Sequence, residues 1–169
     1  YYGNTVIISH NAVGQSGNDG IHVTGGSFYE GPDVPLFRAS LNDGYGYGSP
    51  GSVIISNNFV NNSGWDGIHT ENINELSVTD NLVQNSYGHG LYVSGAYNGY
   101  VEFQGNTFQD NGQFSGSAQA RFESGDIDMS DLERPNTFIN TTGIPATALQ
   151  FDDISAFYTD LPSGDTDLP

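Results

Sequence analysis

One short pattern recurs along this chain of 169 residues and limits the folds that it can adopt. Each copy is an alternating apolar and polar run, then an asparagine, then an apolar residue two positions later. A second apolar run follows three of the copies after a polar turn, at residues 20–23, 67–70 and 90–93. No stretch shows sustained helical periodicity, so the repeats predict a solenoid of short strands. The five asparagines are Asn11, Asn58, Asn81, Asn106 and Asn136.

The spacing of the asparagines sets the length of one rung. Asn81 follows Asn58 by 23 residues, and Asn106 follows Asn81 by 25. The 47 residues between Asn11 and Asn58 correspond to two such periods. Leucine-rich repeats share this period, but their leucine pattern is absent. We therefore predict an all-β fold, a right-handed parallel β-helix (solenoid) of about 5–7 rungs.

Stacking explains how such a chain buries its apolar residues. One rung cannot cover its own apolar face, whereas rungs stacked about 4.8 Å apart share a continuous core. At the asparagine corner, side-chain amides can form a hydrogen-bonded ladder, and we expect the asparagines themselves to adopt the left-handed backbone conformation. The predicted inward residues are Val6, Ile8, Val53, Ile55, Leu76 and Val78, with two further columns, Ile21, Ile68 and Leu91, and Val13, Val60, Val83 and Phe108.

The predicted domain organisation is a β-helix over residues 1–157 and a linker or tail over 158–169. Residues 27–50 interrupt the repeat with prolines, glycines and aromatics, either as a rung with a long lateral loop or as a loop alone. Residues 123–133 look irregular, and residues 146–151 look like a last strand. We expect the chain to be a fragment of a longer helix with further domains.

Charge excludes some partners. The net charge is −17, from 20 acidic and three basic residues, and there is no cysteine. Nucleic acids and anionic membranes need a basic surface, so neither is expected as a partner. We expect a secreted protein, with acidity that serves solubility or calcium binding. Calcium is the candidate cofactor with unknown ligands, since residues 126–133 lack the spacing of an EF-hand loop.

Candidate site residues fall on one outer surface of the predicted helix. His22 and His69 occupy equivalent positions between inward residues, Tyr92 follows one rung later, and Gln119 is expected next. A neighbouring column holds Asp19, Asp66 and His89. Carboxyl, imidazole and phenol groups together suit proton transfer, although any repeat duplication would also place such residues outward. The candidates are Asp66, His69, His89 and Tyr92 for catalysis, and Asp19, His22, Trp65, Gln119 and Arg121 for substrate binding.

Residues 65–71 and 87–91 carry a family resemblance. With this pattern the chain resembles the catalytic β-helix module of mannuronan C-5-epimerases and, more generally, β-helix polysaccharide lyases. The likeness spans about residues 5–121. The epimerase family carries an Asp-Pro-His-Glu motif on one rung. Asp66 and His69 fall roughly where its Asp and His would be, with the Pro missing and one residue inserted, and His89 lies one rung further.

The resemblance implies an activity on a uronic-acid polymer such as alginate. His69 or Tyr92 would act as base and acid beside the uronate carboxylate, which His89, an arginine or calcium would neutralise. Reprotonation would give C-5 epimerisation, and loss of the 4-oxygen would give β-elimination. Two other classes remain open: a non-catalytic, glycan-binding or adhesin-like β-helix, and a glycoside hydrolase that uses Asp66 and Glu71.

Overall fold

The computed structural model describes residues 5–24, 37–40, 52–95, 99–131, 133–143 and 147–158. These residues form strands and turns, and none of them lies in a helix long and apolar enough to cross a membrane. The predicted tail at 158–169, apart from its first residue, lies outside the described residues, as does the loop at 27–50 apart from residues 37–40. The strands, numbered in chain order, are β1 (Thr5–Ser9), β2 (Ala12–Gly14), β3 (Ile21–Thr24), β4 (Phe37–Ser40), β5 (Ser52–Ser56), β6 (Phe59–Asn61), β7 (Ile68–Glu71), β8 (Glu75–Thr79), β9 (Leu82–Gln84), β10 (Leu91–Ser94), β11 (Tyr100–Gln104), β12 (Thr107–Gln109), β13 (Ala118–Asp128), β14 (Thr137–Ile139) and β15 (Thr147–Tyr158).

The strands stack in parallel on three faces. Face 1 contains β1, β5, β8 and β11, and face 2 contains β2, β6, β9, β12 and β14. Face 3 contains β4, β3, β7 and β10. The long strand β13 begins on face 3, where it pairs with β10, and ends on face 1, where it pairs with β11. Strand β15 pairs with β13 along its length. The described strands form a parallel β-helix, and the strands stacked on face 1, which are β1, β5, β8, β11 and the ends of β13 and β15, agree with the predicted range of rungs.

The core follows the predicted alternation. Val53, Ile55 and Val78 on face 1 are fully buried. Two further inward columns are also fully buried: Ile21, Ile68 and Leu91 on face 3, and Val60, Val83 and Phe108 on face 2. Phe103, Phe108 and Phe122 fill the later rungs with aromatic contacts. Because apolar burial stabilises by roughly 25 cal/mol per Å², this continuous column is the main favourable contribution to folding.

The predicted asparagine ladder is present at the corner between faces 1 and 2. The backbone N–H of Asn58 donates to Oδ1 of Asn81, and that of Asn81 donates to Oδ1 of Asn106, both at 3.0 Å. The Nδ2 group of Asn81 donates to the carbonyl oxygens of Ile55 and Thr79. Every polar atom of a buried amide thereby finds a partner, which is the condition for burying it at low cost.

Two expectations about this corner are wrong. The left-handed backbone conformation belongs to the residue before each of the first four ladder asparagines, namely His10, Asn57, Asp80 and Gly105. The asparagine itself must point its amide along the stack, so the preceding residue makes the bend. Moreover, Asn11 and Asn58 lie on consecutive rungs, because the Asn11 backbone N–H donates to Oδ1 of Asn58 and β1 pairs with β5.

The interruption after the first rung therefore adds no rung between β1 and β5. Strand β4 pairs with β3 on the side away from β7, so β4 extends the outer edge of face 3. The prediction that residues 123–133 are irregular is also partly wrong. β13 continues through Asp128, and Gly125, with φ of +118°, lies where the strand passes from face 3 to face 1. The last strand expected at 146–151 is present as the longer β15.

The ladder predicts a large loss of stability for Asn81→Ala. This change leaves the backbone N–H and Nδ2 of Asn58 and the carbonyl oxygen of Ile55, all on the preceding rung, without the Asn81 side chain as their partner in the core. We expect the free energy of unfolding to fall by about 3 kcal/mol, measured by urea denaturation. Asn57→Asp, at the exposed neighbouring corner position, is the control and should change stability by less than about 0.5 kcal/mol. Equal effects of the two changes would contradict a structural ladder.

Close packing of the turn before face 3 generates a second prediction. A Cβ atom on Gly67 would lie 2.3 Å from Cγ1 of Val83 and 2.6 Å from the carbonyl oxygen of Gly90. A Cβ on Gly17, in the first rung, would meet no atom within 4 Å. We expect Gly67→Ala to destabilise the fold by about 2 kcal/mol and Gly17→Ala to have little effect, as measured by thermal unfolding. A tolerated Gly67→Ala would argue against this rung spacing.

The hydrogen bonds to the carboxylate of Asp110 predict that the stability of the fold depends on pH. The hydroxyl of Thr141 donates to Asp110 Oδ2 at 2.7 Å, and the backbone N–H groups of Thr141 and Thr142 donate to Oδ1. These hydrogen bonds, that from the Thr141 hydroxyl first, lower the pKa of Asp110. A lowered pKa stabilises the fold above the unfolded-state pKa, and the effect is lost as pH falls through the folded-state pKa.

We therefore expect Asp110→Asn to lower the Tm near pH 7, with the difference from wild type shrinking towards about pH 3. Asp80→Asn is a suitable control, because Asp80 is exposed and has the same left-handed conformation. A Tm difference that stays constant across this pH range would refute the assigned role of the Asp110 charge.

Candidate functional site

The outward residues of face 3 form a column that repeats once per rung. His22 pairs in register with His69, His69 with Tyr92, and Tyr92 with Arg121. The inward neighbours of these residues are buried, so the strand pleat turns the column outward. His22, His69 and Tyr92 therefore lie where the sequence repeat places them. Arg38 takes the register position next to His22 on β4, and its side chain lies outside the described residues.

Gln119 does not continue this column, so that expectation is wrong. Arg121, two residues later, is the residue that pairs with Tyr92. Gln119 is 2% exposed, and its Oε1 accepts hydrogen bonds from the backbone N–H and the Nδ2 of Asn111. The turn before β13 is longer than in earlier rungs, so counting from the previous repeat misplaced the register by two residues.

A second column lies in the turns that precede β3, β7 and β10. Oδ1 of Asp19 accepts the backbone N–H of Asp66 at 3.0 Å, and Oδ1 of Asp66 accepts that of His89 at 2.6 Å. Nδ1 of His89 accepts the backbone N–H of Ala118 at 2.9 Å. The three side chains are almost fully buried. This turn column thus satisfies backbone donors between rungs and leaves one carboxylate oxygen of each aspartate for other contacts.

The remaining carboxylate oxygens face the histidines. Oδ2 of Asp19 lies 3.0 Å from Nδ1 of His22 and 3.5 Å from Nδ1 of His69. Oδ2 of Asp66 lies 3.7 Å from the same His69 atom and has no hydrogen-bond partner among the described residues. Nε2 of His69 lies 2.8 Å from Oγ of Ser94, and the His22 and His69 rings stack at 4.6 Å. His69 is therefore the centre of the cluster.

Burial and charge give the two aspartates opposite protonation behaviour. Burial by itself would raise the pKa of Asp19, but hydrogen bonds with His22 and His69 hold it well below its usual range. Burial raises the pKa of Asp66 to about 7, and the Asp19 charge adds to this against the opposing charge of His69. Burial favours neutral His69, yet the hydrogen bond to Asp19 and both carboxylate charges raise its pKa. Such divergent neighbouring pKa values are typical of functional sites.

His89 is held neutral. Burial, followed by the positive charge of Arg121, lowers the pKa of His89 to about 4. Since its Nδ1 accepts a backbone hydrogen bond, the ring proton lies on Nε2. Its ring lies 5.0 Å from that of Tyr92, and His69 lies 4.9 Å from the same ring. The two imidazoles thus contact the Tyr92 ring and restrict its orientation.

Tyr92 belongs to a group of three polar residues at the next rung. Its hydroxyl donates to Oε1 of Glu123, and burial together with this bond raises its pKa. The guanidinium carbon of Arg121 lies 5.3 Å from the centre of the Tyr92 ring, and Nη2 of Arg121 lies 3.6 Å from the same Glu123 oxygen. Arg121 also donates from Nε and Nη2 to Oδ2 of Asp152, at 2.9 and 2.8 Å.

The sequence reasoning missed the partners of these groups. Strand alternation could have found Ser94 and Glu123, because each lies two residues after a member of the face 3 column. Asp152 depends on the register of β15, which no repeat motif indicates. Tyr87 and Phe114 were also missed. With Trp65 they form an exposed aromatic cluster whose ring centres lie 5.6–6.5 Å apart.

The acidic segment expected to be a solvated loop or calcium site is occupied by local contacts. Asp128 accepts the Tyr100 hydroxyl and the backbone N–H of Ser130, while Asp131 binds Nε of Arg134 at 2.7 Å. Among the described residues, the group that brings metal-binding atoms together is Asp19, His22 and His69 instead. For the alternative of a glycosidase that uses Asp66 and Glu71, the complete burial of Asp66 is unfavourable, because a general acid must reach the glycosidic oxygen.

Comparison with known proteins agrees with this architecture. The model of the right-handed β-helix region matches residues 37–142, more than half of the chain. Searches of curated proteins and of solved structures gave no significant match. The stacked parallel sheets of the described residues agree with that family's fold and confirm the predicted fold class. The chain therefore belongs to the right-handed β-helix family.

Proposed function

We propose that this β-helix is a polysaccharide-modifying module that cleaves a uronic-acid polymer by β-elimination on face 3. The observation that carries the proposal is the group formed by Tyr92, Glu123 and Arg121. A phenol with a carboxylate proton acceptor and an adjacent guanidinium is what abstraction of a proton beside a sugar carboxylate requires. The stacked outer column gives an elongated polymer a surface that runs along the axis of the helix.

The reaction assigns one role to each of these residues. The Tyr92 oxygen takes the C5 proton while its own proton passes to Glu123. The electron pair left at C5 is delocalised into the uronate carboxylate and then expels the 4-oxygen, which forms the C4–C5 double bond. The phenol donates its proton to the departing oxygen, and Glu123 returns the stored proton to Tyr92. The cycle consumes no other reactant and restores the enzyme.

Arg121 is the cation placed to neutralise the substrate carboxylate. It is now paired with Asp152, but both side chains are partly exposed, at 27% and 36%, and the pair lies at the surface. A uronate can replace Asp152 on the two guanidinium N–H groups, because carboxylates accept such paired donors well. The negative charge that spreads from C5 into the carboxylate then develops next to the fixed positive charge of Arg121. This lowers the free-energy barrier to proton abstraction.

The positions of the groups favour elimination over epimerisation. The proton-transfer residue Tyr92 and its partner Glu123 lie on one wall, face 3. Inversion at C5 needs a donor on the opposite side of the sugar ring from the base. Elimination can return the proton from the same group when the C5 hydrogen and the 4-oxygen share a side. Among the described residues, this wall therefore favours elimination, in which one group both removes and returns the proton.

The exposed aromatic cluster supports sugar binding beside this wall. Trp65 directly precedes Asp66, and Tyr87 lies two residues before His89, so the rings flank the turn column. Trp65, Tyr87 and Phe114 are each about 45% exposed, which is unusual for three large neighbouring rings. Aromatic faces pack against the C–H faces of sugars. This cluster is also the observation that favours the second candidate function, glycan binding without catalysis.

Tyr92→Phe tests the elimination directly. The variant keeps the ring between its two histidines and removes the hydroxyl, so we expect kcat to fall by about 100-fold or more. Polymannuronate, polyguluronate and polygalacturonate are the substrates, and unsaturated ends are followed by ultraviolet absorbance. Tyr100→Phe is the matched control, because Tyr100 also binds a carboxylate, that of Asp128, but on face 1. Equal activity of Tyr92→Phe and wild type would contradict the role of the phenol.

Proton NMR of the products and glycan-affinity measurements separate the other outcomes. C-5 inversion without unsaturated ends would contradict elimination in favour of epimerisation. Absence of turnover, together with polymer binding that is lost in Trp65→Ala and unchanged in Tyr92→Phe, would identify a glycan-binding module instead.

A further inference from the structure

We propose that Asp19, His22, His69 and Asp66 form a binding site for one divalent transition-metal ion of the zinc type. The site lies at the first two rungs, where the turn column meets the face 3 column. It is distinct from the Tyr92, Glu123 and Arg121 group, and it does not rest on any polysaccharide chemistry. Three features of the cluster support it: the donor spacing, an unpaired buried oxygen and the support behind each ligand.

Three of the distances between donor atoms are close to the spacing of tetrahedral ligands. Zinc bonds to nitrogen and carboxylate oxygen are about 2.0–2.2 Å long, which places tetrahedral donors about 3.3–3.6 Å apart. The distance from Asp19 Oδ2 to Nδ1 is 3.0 Å for His22 and 3.5 Å for His69. Asp66 Oδ2 lies 3.7 Å from Nδ1 of His69. The ligand atoms of Asp19, His22 and His69 all lie within 4.8 Å of one another, so these three residues can meet one ion after modest shifts. Asp66 lies outside that group and must turn further to supply the fourth ligand.

Asp66 supplies an independent observation. Its side chain is fully buried, and its Oδ2 has no hydrogen-bond donor among the described residues, although its Oδ1 binds the His89 backbone. An unpaired buried carboxylate oxygen is costly, and such atoms call for an explanation such as a bound ion. This oxygen faces the same His69 nitrogen as Asp19 does. A cation between the two carboxylates would satisfy it directly.

The groups behind the ligands hold them in place. Asp19 is fixed by the Asp66 backbone N–H and Asp66 by that of His89. Ser94 Oγ lies 2.8 Å from Nε2 of His69. With the ring proton on Nε2, this contact is a hydrogen bond to Ser94, and the Nδ1 lone pair points towards the carboxylates. Metal-binding histidines characteristically donate their second ring N–H to such a partner.

The donor set selects the class of ion. Two imidazoles with two carboxylates balance a divalent charge when the histidines are neutral, and imidazole nitrogen suits zinc, copper, iron or nickel. Calcium prefers six to eight oxygen ligands and is disfavoured by this set, in contrast to the expectation from acidity alone. The side chains of His22 and His69 are 23% and 17% exposed, so an ion can enter from solvent.

Cobalt binding to the full chain, stripped with a chelator, tests the site. We expect one Co²⁺ per chain by calorimetry, with the intense visible absorption of tetrahedral cobalt, and displacement of Co²⁺ by Zn²⁺. Ca²⁺ at the same concentration should not displace it. His22→Gln, His69→Gln and Asp66→Asn should each weaken Co²⁺ binding by about 10-fold or more. The Zn²⁺-induced rise in Tm should shrink in parallel with the weaker binding.

His10→Asn is the matched control. His10 is exposed at the other corner, and Asn57 occupies the equivalent position one rung later, so this change should leave Co²⁺ binding unaltered. Circular dichroism verifies that each variant is folded, and Asp66→Asn can still accept the His89 N–H. The proposal is overturned if wild type binds no stoichiometric Co²⁺, or if folded His22→Gln and His69→Gln bind it as wild type does. Loss of polysaccharide activity alone would leave these results unchanged.

Discussion

Hydrogen bonds from backbone N–H groups to side-chain acceptors of neighbouring rungs determine how this solenoid stacks. At the corner between faces 1 and 2, asparagine amides perform this task from Asn11 to Asn136. At the turn before face 3, Asp19, Asp66 and His89 perform it. A corner interrupts the strand ladder, so its backbone donors need other partners, and a buried donor without one is costly. The stack depends on both columns.

The same requirement creates the candidate site. An asparagine at the turn would satisfy the backbone donor, but an aspartate adds a second oxygen and a charge. In Asp19 and Asp66 that second oxygen faces the histidines of face 3. Burial separates the pKa values of these two acids, and the imidazoles are held between charged and hydroxyl partners. The turn column thus both connects neighbouring rungs and forms part of a polar cluster with the histidines of face 3.

The repeat predicted much of this arrangement because stacking converts a constant period into proximity. The register of His22, His69 and Tyr92 and the burial of Val53 and Ile68 follow from period and alternation alone. Prediction failed where the period changes. Asn11 and Asn58 are two periods apart in the sequence but lie on consecutive rungs, and the longer turn before β13 displaced Gln119 from the surface. Contacts across many residues, such as Arg121 with Asp152, have no repeat signal.

A crystal structure of the chain is the most direct test of the two-column account. The account predicts Oδ1 of Asp19 within hydrogen-bond distance of the Asp66 backbone nitrogen, and Oδ2 between the His22 and His69 rings. It also predicts that His89 accepts the Ala118 N–H through Nδ1. Aspartate side chains that turn to solvent, with the backbone donors at this turn bound to water or to other groups, would contradict it.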